Sequence, residues 1–156
     1  MRIFKSLVLP VLLYGSETWT LNSELKRRIN SFGTKCLRRI MGYRWYDRVP
    51  NQRLLQETDS RHISCIVRER QLRLYGHVVR LPEIDPAHQA VSVEDNPEWR
   101  RPRGRPRNSW LRQVDESCDK LFGMCRSDAW VLSREDPRGW SQRVSEATRR
   151  CGVCPP

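Results

Sequence analysis

Residues 100–107 read Arg-Arg-Pro-Arg-Gly-Arg-Pro-Arg, five guanidiniums on a backbone rich in proline and glycine. Proline removes a backbone donor and fixes φ, and glycine gives up the most conformational freedom on ordering, so this stretch is no core helix. It reads as an extended basic arm. A guanidinium presents a planar fork of donors that matches a phosphate, whereas an ammonium is a point charge. Of the 29 basic residues 25 are Arg, and the chain carries a net charge of +11. The chemistry on offer is therefore capture of a polyanion, RNA or DNA backbone, with Arg100, Arg101, Arg103, Arg105 and Arg107 as candidate contacts.

The inner Pro102-Arg103-Gly104-Arg105-Pro106 also matches the core of an AT-hook. There an extended Arg-Gly-Arg lies in a narrow minor groove, whose negative potential draws the two side chains in. General phosphate tracking is the reading adopted; an architectural A·T-binding protein is the alternative.

Elsewhere the chemically capable residues lack the company that chemistry needs. Polymerase and nuclease centres gather carboxylates around two metal ions. The adjacent pairs here, Glu94-Asp95 and Asp115-Glu116, fall in a presumed linker and on a helix surface. No phosphate-cradling glycine loop, Gly-x-Ser-x-Gly or His-Glu-x-x-His occurs. Cys151-Gly152-Val153-Cys154 has the spacing of a zinc turn, but a structural zinc needs two further ligands, and Cys118 and Cys125 are not a second tight pair. His77 stands alone and is expected to pack or hydrogen-bond. No catalytic residue, metal or cofactor is expected.

Six cysteines and the apolar run Leu7 to Tyr14 behind Arg2 and Lys5 raise one rival from another class, a secreted disulfide-stapled protein with a signal peptide at 1–16. Pro10 in mid-run speaks against it. Cys36 and Cys65 also fall among apolar residues of helical segments, where free cysteine acts as a small hydrophobe. A nuclear or cytoplasmic protein is expected rather than a secreted one, and the run is too short to span a membrane.

The elements that would carry these residues are helical. Residues 3–20 are apolar and mixed in character, with Pro10 limiting a continuous helix. Behind a cap at Asn22 or Ser23, Leu25, Ile29, Phe32, Cys36, Leu37 and Ile40 recur at helical spacing until Gly42. That stripe is expected to pack. The back of the same helix holds Lys26, Arg27, Arg28, Lys35, Arg38 and Arg39, and all but Lys26 join the arm as candidate nucleic-acid contacts. A short helix is expected over Pro50–Thr58 and another helix over Ser60–Arg80, then one from a cap at Asn108 to Gly123, a shorter one over Asp128–Arg134 and a last one over Pro137–Arg150. Trp110, Trp130, Trp140 and Val144 would form a small core among the last three. Leu81 to Glu98 holds three Pro, five acidic residues and no Lys or Arg, the composition of a poorly ordered linker.

The charge is uneven, with two basic lobes flanking an acidic middle: +7 over residues 1–50, −1 over 51–100 and +5 over 101–156. The expected architecture is all-α. A thumb-like helical bundle (1–81) is joined by an irregular acidic linker and Arg-rich arm (82–107) to a small C-terminal helical unit (108–150) and a tail (151–156).

Several landmarks then fall in one order. Leu9-Pro10-Val11-Leu12-Leu13-Tyr14-Gly15-Ser16-Glu17-Thr18-Trp19 resembles the stretch just after the palm of LINE-type non-LTR retrotransposon reverse transcriptases. Lys35-Cys36-Leu37-Arg38-Arg39-Ile40-Met41-Gly42 is similar to the helix that follows there, and Arg73-Leu74-Tyr75-Gly76-His77-Val78-Val79-Arg80 to the family's Gly-His-Val-x-Arg element. Gly104-Arg105-Pro106-Arg107, Trp110 and Trp140 match its basic arm, terminal helix and late tryptophan. The resemblance implies an endonuclease and an RNA-directed DNA polymerase palm upstream in a full-length element. It also implies that this stretch is the non-catalytic thumb and tail, which grip the template–primer backbone.

Overall fold

Asn22 and Gly42 set the limits of the longest helix by ordinary capping chemistry. The Asn22 side chain accepts a hydrogen bond from the amide of Leu25, and Gly42 takes the left-handed conformation (φ 76°) that ends α2 (Ser23–Met41). A computed structural model describes residues 1–92 and 108–151 of the chain, and among them there is no strand. The fold is all-α. A π-helical stretch Phe4–Val8 runs into α1 (Leu9–Leu12), and α2 is followed by α3 (Asn51–Glu57), α4 (Ile63–Val79), α5 (Pro86–Ser92), α6 (Trp110–Phe122), α7 (Arg126–Glu135) and α8 (Pro137–Cys151).

Helix α4 is the hub. It buries residues over more than half of its circumference, among them Val67, Leu72, Tyr75, Val78 and Val79, and packs against α2, α5, α6, α7 and α8. Its second half supplies Leu72, Tyr75 and Val79 to a core completed by Val114, Cys118, Ala129, Trp140 and Val144. The C-terminal helices therefore do not enclose a core of their own, as the tryptophan spacing suggested; they close onto α4. Two smaller clusters lie toward the N-terminus. Phe4, Leu37, Leu54 and Leu55 form one, and Leu13, Leu21, Ile63 and Val67 the other.

Pro10 does not interrupt the first helix. It stands inside a helical run that continues from Phe4–Val8 into α1, and the wide π turn directly before it lies where the ladder has to accommodate the ring and its missing amide. The acidic segment after Leu81 is also not wholly irregular. Asp85 accepts a hydrogen bond from the Ala87 amide at 2.8 Å, Pro86 opens α5, and the buried His88 ring sets its edge against Trp130 with centroids 5.2 Å apart. At α6 the capping side chain is Ser109, which accepts from Arg112, while Asn108 turns back to donate to the Leu21 carbonyl.

The packed face of α2 is rotated from the expected stripe. Gly33, Thr34 and Leu37 are buried, whereas Leu25, Phe32 and Ile40 stay partly in water. Gly33 permits this: a Cβ there would meet Ile63 Cδ1 at 2.8 Å, so α4 approaches α2 through a position with no side chain. Thr34 turns its hydroxyl onto the Asn30 and Ser31 carbonyls and adds no unsatisfied group. Leu37, 2% exposed, should therefore cost about 2–5 kcal/mol when cut to Ala. Phe32, 44% exposed, should cost about 1 kcal/mol, half the transfer energy of a fully buried ring. Urea unfolding of the two variants checks this; equal losses would return the packed face to the apolar stripe.

Candidate nucleic-acid interface

The face of α2 opposite its packed side is basic, but its cations differ in what they are free to do. Arg27, Lys35 and Arg39 are exposed and make no hydrogen bond or ion pair among the described residues. They run along about 18 Å of helix axis at 1.5 Å per residue. Arg28 reaches Glu24 one turn back at 2.7 Å, a pair both of whose members are in solvent and which competes weakly with a ligand. Arg38 is committed to the fold: its guanidinium donates to the Val49 carbonyl at 2.7 Å and to Asn51 Oδ1 at 2.8 Å, tying the α2–α3 connection down. Lys26 does not belong to this face. It is half-buried, and its pKa is lowered chiefly by that burial and then by the charge of Arg68. The other candidates, Arg100, Arg101, Arg103, Arg105 and Arg107, lie outside the described residues.

Several arginines on and beside α4 are bonded within the fold. Arg70 donates to the Leu13 carbonyl at 2.5 Å, Arg80 to the Ser133 carbonyl at 3.1 Å, and Arg73 to Ser145 at 2.8 Å and to Glu69. Arg61 pairs with Glu69 at 2.9 Å. Arg73 and Arg80 tie α4 to α8 and α7 and Arg70 ties it to the turn at Leu13, so the bulk charge overstates what the surface offers a partner.

The Tyr14 to Trp19 landmark is what orients α2. Gly15 (φ 65°) turns the chain into a short 3-10 turn, Ser16–Thr18, with Ser16 fully buried. From α4, Gln71 Nε2 donates to the Trp19 carbonyl at 2.5 Å. From α6, Trp110 Nε1 donates to the Glu17 carbonyl at 2.7 Å, and Gln113 both donates to the Leu21 carbonyl and accepts from the Leu21 amide. The strap is thus tied at Glu17, Trp19 and Leu21, directly before the Asn22 cap, which fixes the direction of the basic helix.

Sequence reasoning passed over the turn after α2. Trp45 is 90% exposed and Tyr46 58% exposed, with ring centroids 5.8 Å apart in an edge-to-face arrangement. Arg44 and Arg48 flank them, both exposed. The signal was present as Arg-Trp-Tyr-Asp-Arg, an aromatic pair bracketed by guanidiniums with no apolar partner at helical spacing.

The remaining candidates are dispersed. Asp115 lies 3.5 Å from Arg126 and Glu116 3.4 Å from Arg112, while Glu94 and Asp95 fall outside the described residues. Among the described residues no three His, Cys, Asp or Glu side chains gather as a metal site. Among the described residues Cys36, Cys65, Cys118 and Cys125 are in no disulfide. Cys118 is fully buried and its thiol is pushed up to about 12 by that burial, whereas Cys125 is exposed and turned toward Asp128. Cys154, and the side chain of Cys151, lie outside what the structure describes. His77 neither packs nor hydrogen-bonds among the described residues; it points outward beside the buried Gly76. No described helix is long and apolar enough to cross a membrane.

No family model and no solved structure matches this chain. Among curated proteins it is 33% identical over 116 residues to an uncharacterized transposon-derived protein of Caenorhabditis elegans, a match covering 70% of this chain and 40% of that protein. The chain is therefore similar to a transposon-derived protein and spans about two-fifths of that relative's length.

Proposed function

We propose that this chain is the non-catalytic, C-terminal grip of a LINE-type reverse transcriptase, holding the backbone of RNA or DNA while the polymerase centre lies in an upstream palm. The observation that carries this reading is the free basic face of α2. Arg27, Lys35 and Arg39 stand exposed and without intramolecular partners on a helix whose direction is set by strap, cap and α4. A structural role would have paired them, as it has paired Arg38 and Arg70. Similarity to a transposon-derived protein supports an element-encoded role. The task of such a surface is electrostatic: guanidiniums displace counterions from phosphates and hold the strand without reading its sequence.

Replacing Arg27, Lys35 and Arg39 together by Ala should reduce the slope of log affinity against log salt by roughly 2–3, since each neutralised phosphate contributes about 0.7–0.9. The melting temperature should stay within a degree or so, because exposed, unpaired side chains contribute little to stability. Fluorescence anisotropy with labelled RNA and DNA across a salt series measures the slope. A slope equal to that of the unaltered chain would show that this face touches no phosphate.

A further inference from the structure

The turn that leaves α2 presents two aromatic rings to water on a fastened backbone. Arg44 donates its amide to Asp47 Oδ2 at 2.6 Å and accepts the Asp47 amide at 3.1 Å. Before it, the Tyr43 hydroxyl donates to Glu57 at 2.6 Å; after it, Arg38 holds the Val49 carbonyl. Trp45 and Tyr46 are thus not side chains of a loose loop. The one carboxylate in the turn, Asp47, caps the Arg44 amide and keeps its charge, and the guanidiniums of Arg44 and Arg48 outnumber it, with Arg39 near the end of α2 adding a third.

Two exposed rings bracketed by free cations match a polyanion whose own apolar surface lies in flat rings. We propose that Trp45 and Tyr46 form a stacking platform for unpaired bases, so that the strand held by this protein is single-stranded where it crosses the end of α2. This rests on the backbone-grip reading and names the form of nucleic acid it grips. The interplanar angle of 74° keeps the rings from sandwiching one base between them. Each instead offers its own face, which suits two neighbouring bases splayed out of the stack. A duplex interior has no open base face to give. Aromatic stacking tolerates any sequence, because every base has a π-face, and guanidiniums beside the rings add to the same contact.

The test uses the full chain and three probes: a short mixed-sequence single strand, an abasic strand of the same length, and a covalently closed duplex with no free ends. Trp45→Ala with Tyr46→Ala should weaken binding of the base-bearing strand by roughly ten-fold or more. The abasic strand, the closed duplex and the salt slope should be unchanged. Trp45→Phe with Tyr46→Phe should keep most of the affinity, since a ring remains. Circular dichroism should match that of the unaltered chain, both rings being exposed. An unchanged affinity for the base-bearing strand, or an equal loss on the abasic strand, overturns the platform. If that happens while the Arg27, Lys35 and Arg39 triple variant still weakens every probe, the backbone grip survives alone. If the unaltered chain binds no probe in a salt-dependent way, the grip and the platform fail together.

Discussion

Trp140→Ala is expected to be the most destabilising substitution in the described fold, at about 3–5 kcal/mol. The ring is 2% exposed, its Nε1 donates to the Leu72 carbonyl at 3.1 Å, and it lies against Phe122 and Tyr75 with centroids 5.5 and 6.3 Å away. It is the piece of α8 that fills the space over α4, and a domain of this size has only about 5–15 kcal/mol in total. Gly76 is its counterpart. A Cβ at that position would collide with Trp140 Nε1 and would stand 2.6 Å from Cδ1, a rigid ring atom that cannot yield as a flexible chain end can. Gly76→Ala, which in an open helix would stabilise by roughly 0.5–1 kcal/mol, should here destabilise by about 1–3 kcal/mol through overpacking. The pair should also couple. Once Trp140 is Ala, the added methyl at 76 no longer clashes, so the double variant should be more stable than the sum of the two losses. Denaturant unfolding of the three variants decides it: a higher midpoint for Gly76→Ala alone, or strict additivity, would show that the ring does not rest on Gly76.

That contact also bears on what periodicity can report. Gly76 and Trp140 stand 64 positions apart, and each is legible alone, one as a glycine inside a helical run and the other as a late tryptophan; their meeting is not. Helix limits were the readable part, because Asn22, Gly42, Gly123 and Pro137 act on their immediate neighbours. The rotation of α2 was not readable, because counting apolar residues cannot see a contact made through Gly33 and a self-satisfied Thr34. Helix α5 was hidden for a related reason: its composition is that of a linker, and His88 is held in place by Trp130 from a distant part of the chain. The basic residues were the least separable. Arg27 and Arg38 look alike in sequence, yet one is free and the other is bonded to the Val49 carbonyl, a difference that only the α2–α3 connection creates.

The arm at 100–107 carries the largest expected binding effect, and its argument rests on composition. Five guanidiniums on a backbone whose proline and glycine disfavour a helix can each follow a phosphate. Replacing Arg100, Arg101, Arg103, Arg105 and Arg107 by Ala should lower the salt slope by up to about 4. A slope difference of that size changes the affinity ratio of the two proteins by roughly two to three decades between about 50 and 200 mM salt. At about 0.5 M salt the substitution should matter little, because screening has already removed most of the attraction. An A·T-reading hook behaves differently. There Arg103 and Arg105 enter the minor groove while the outer three only assist, so Arg103→Ala with Arg105→Ala should abolish a preference for A·T-rich over G·C-rich duplex. Competition between the two duplexes at one salt concentration separates the cases: a general arm shows no preference to lose. A five-fold variant with the slope of the unaltered chain would remove the arm from the interface and leave binding to the free face of α2 and the turn beyond it.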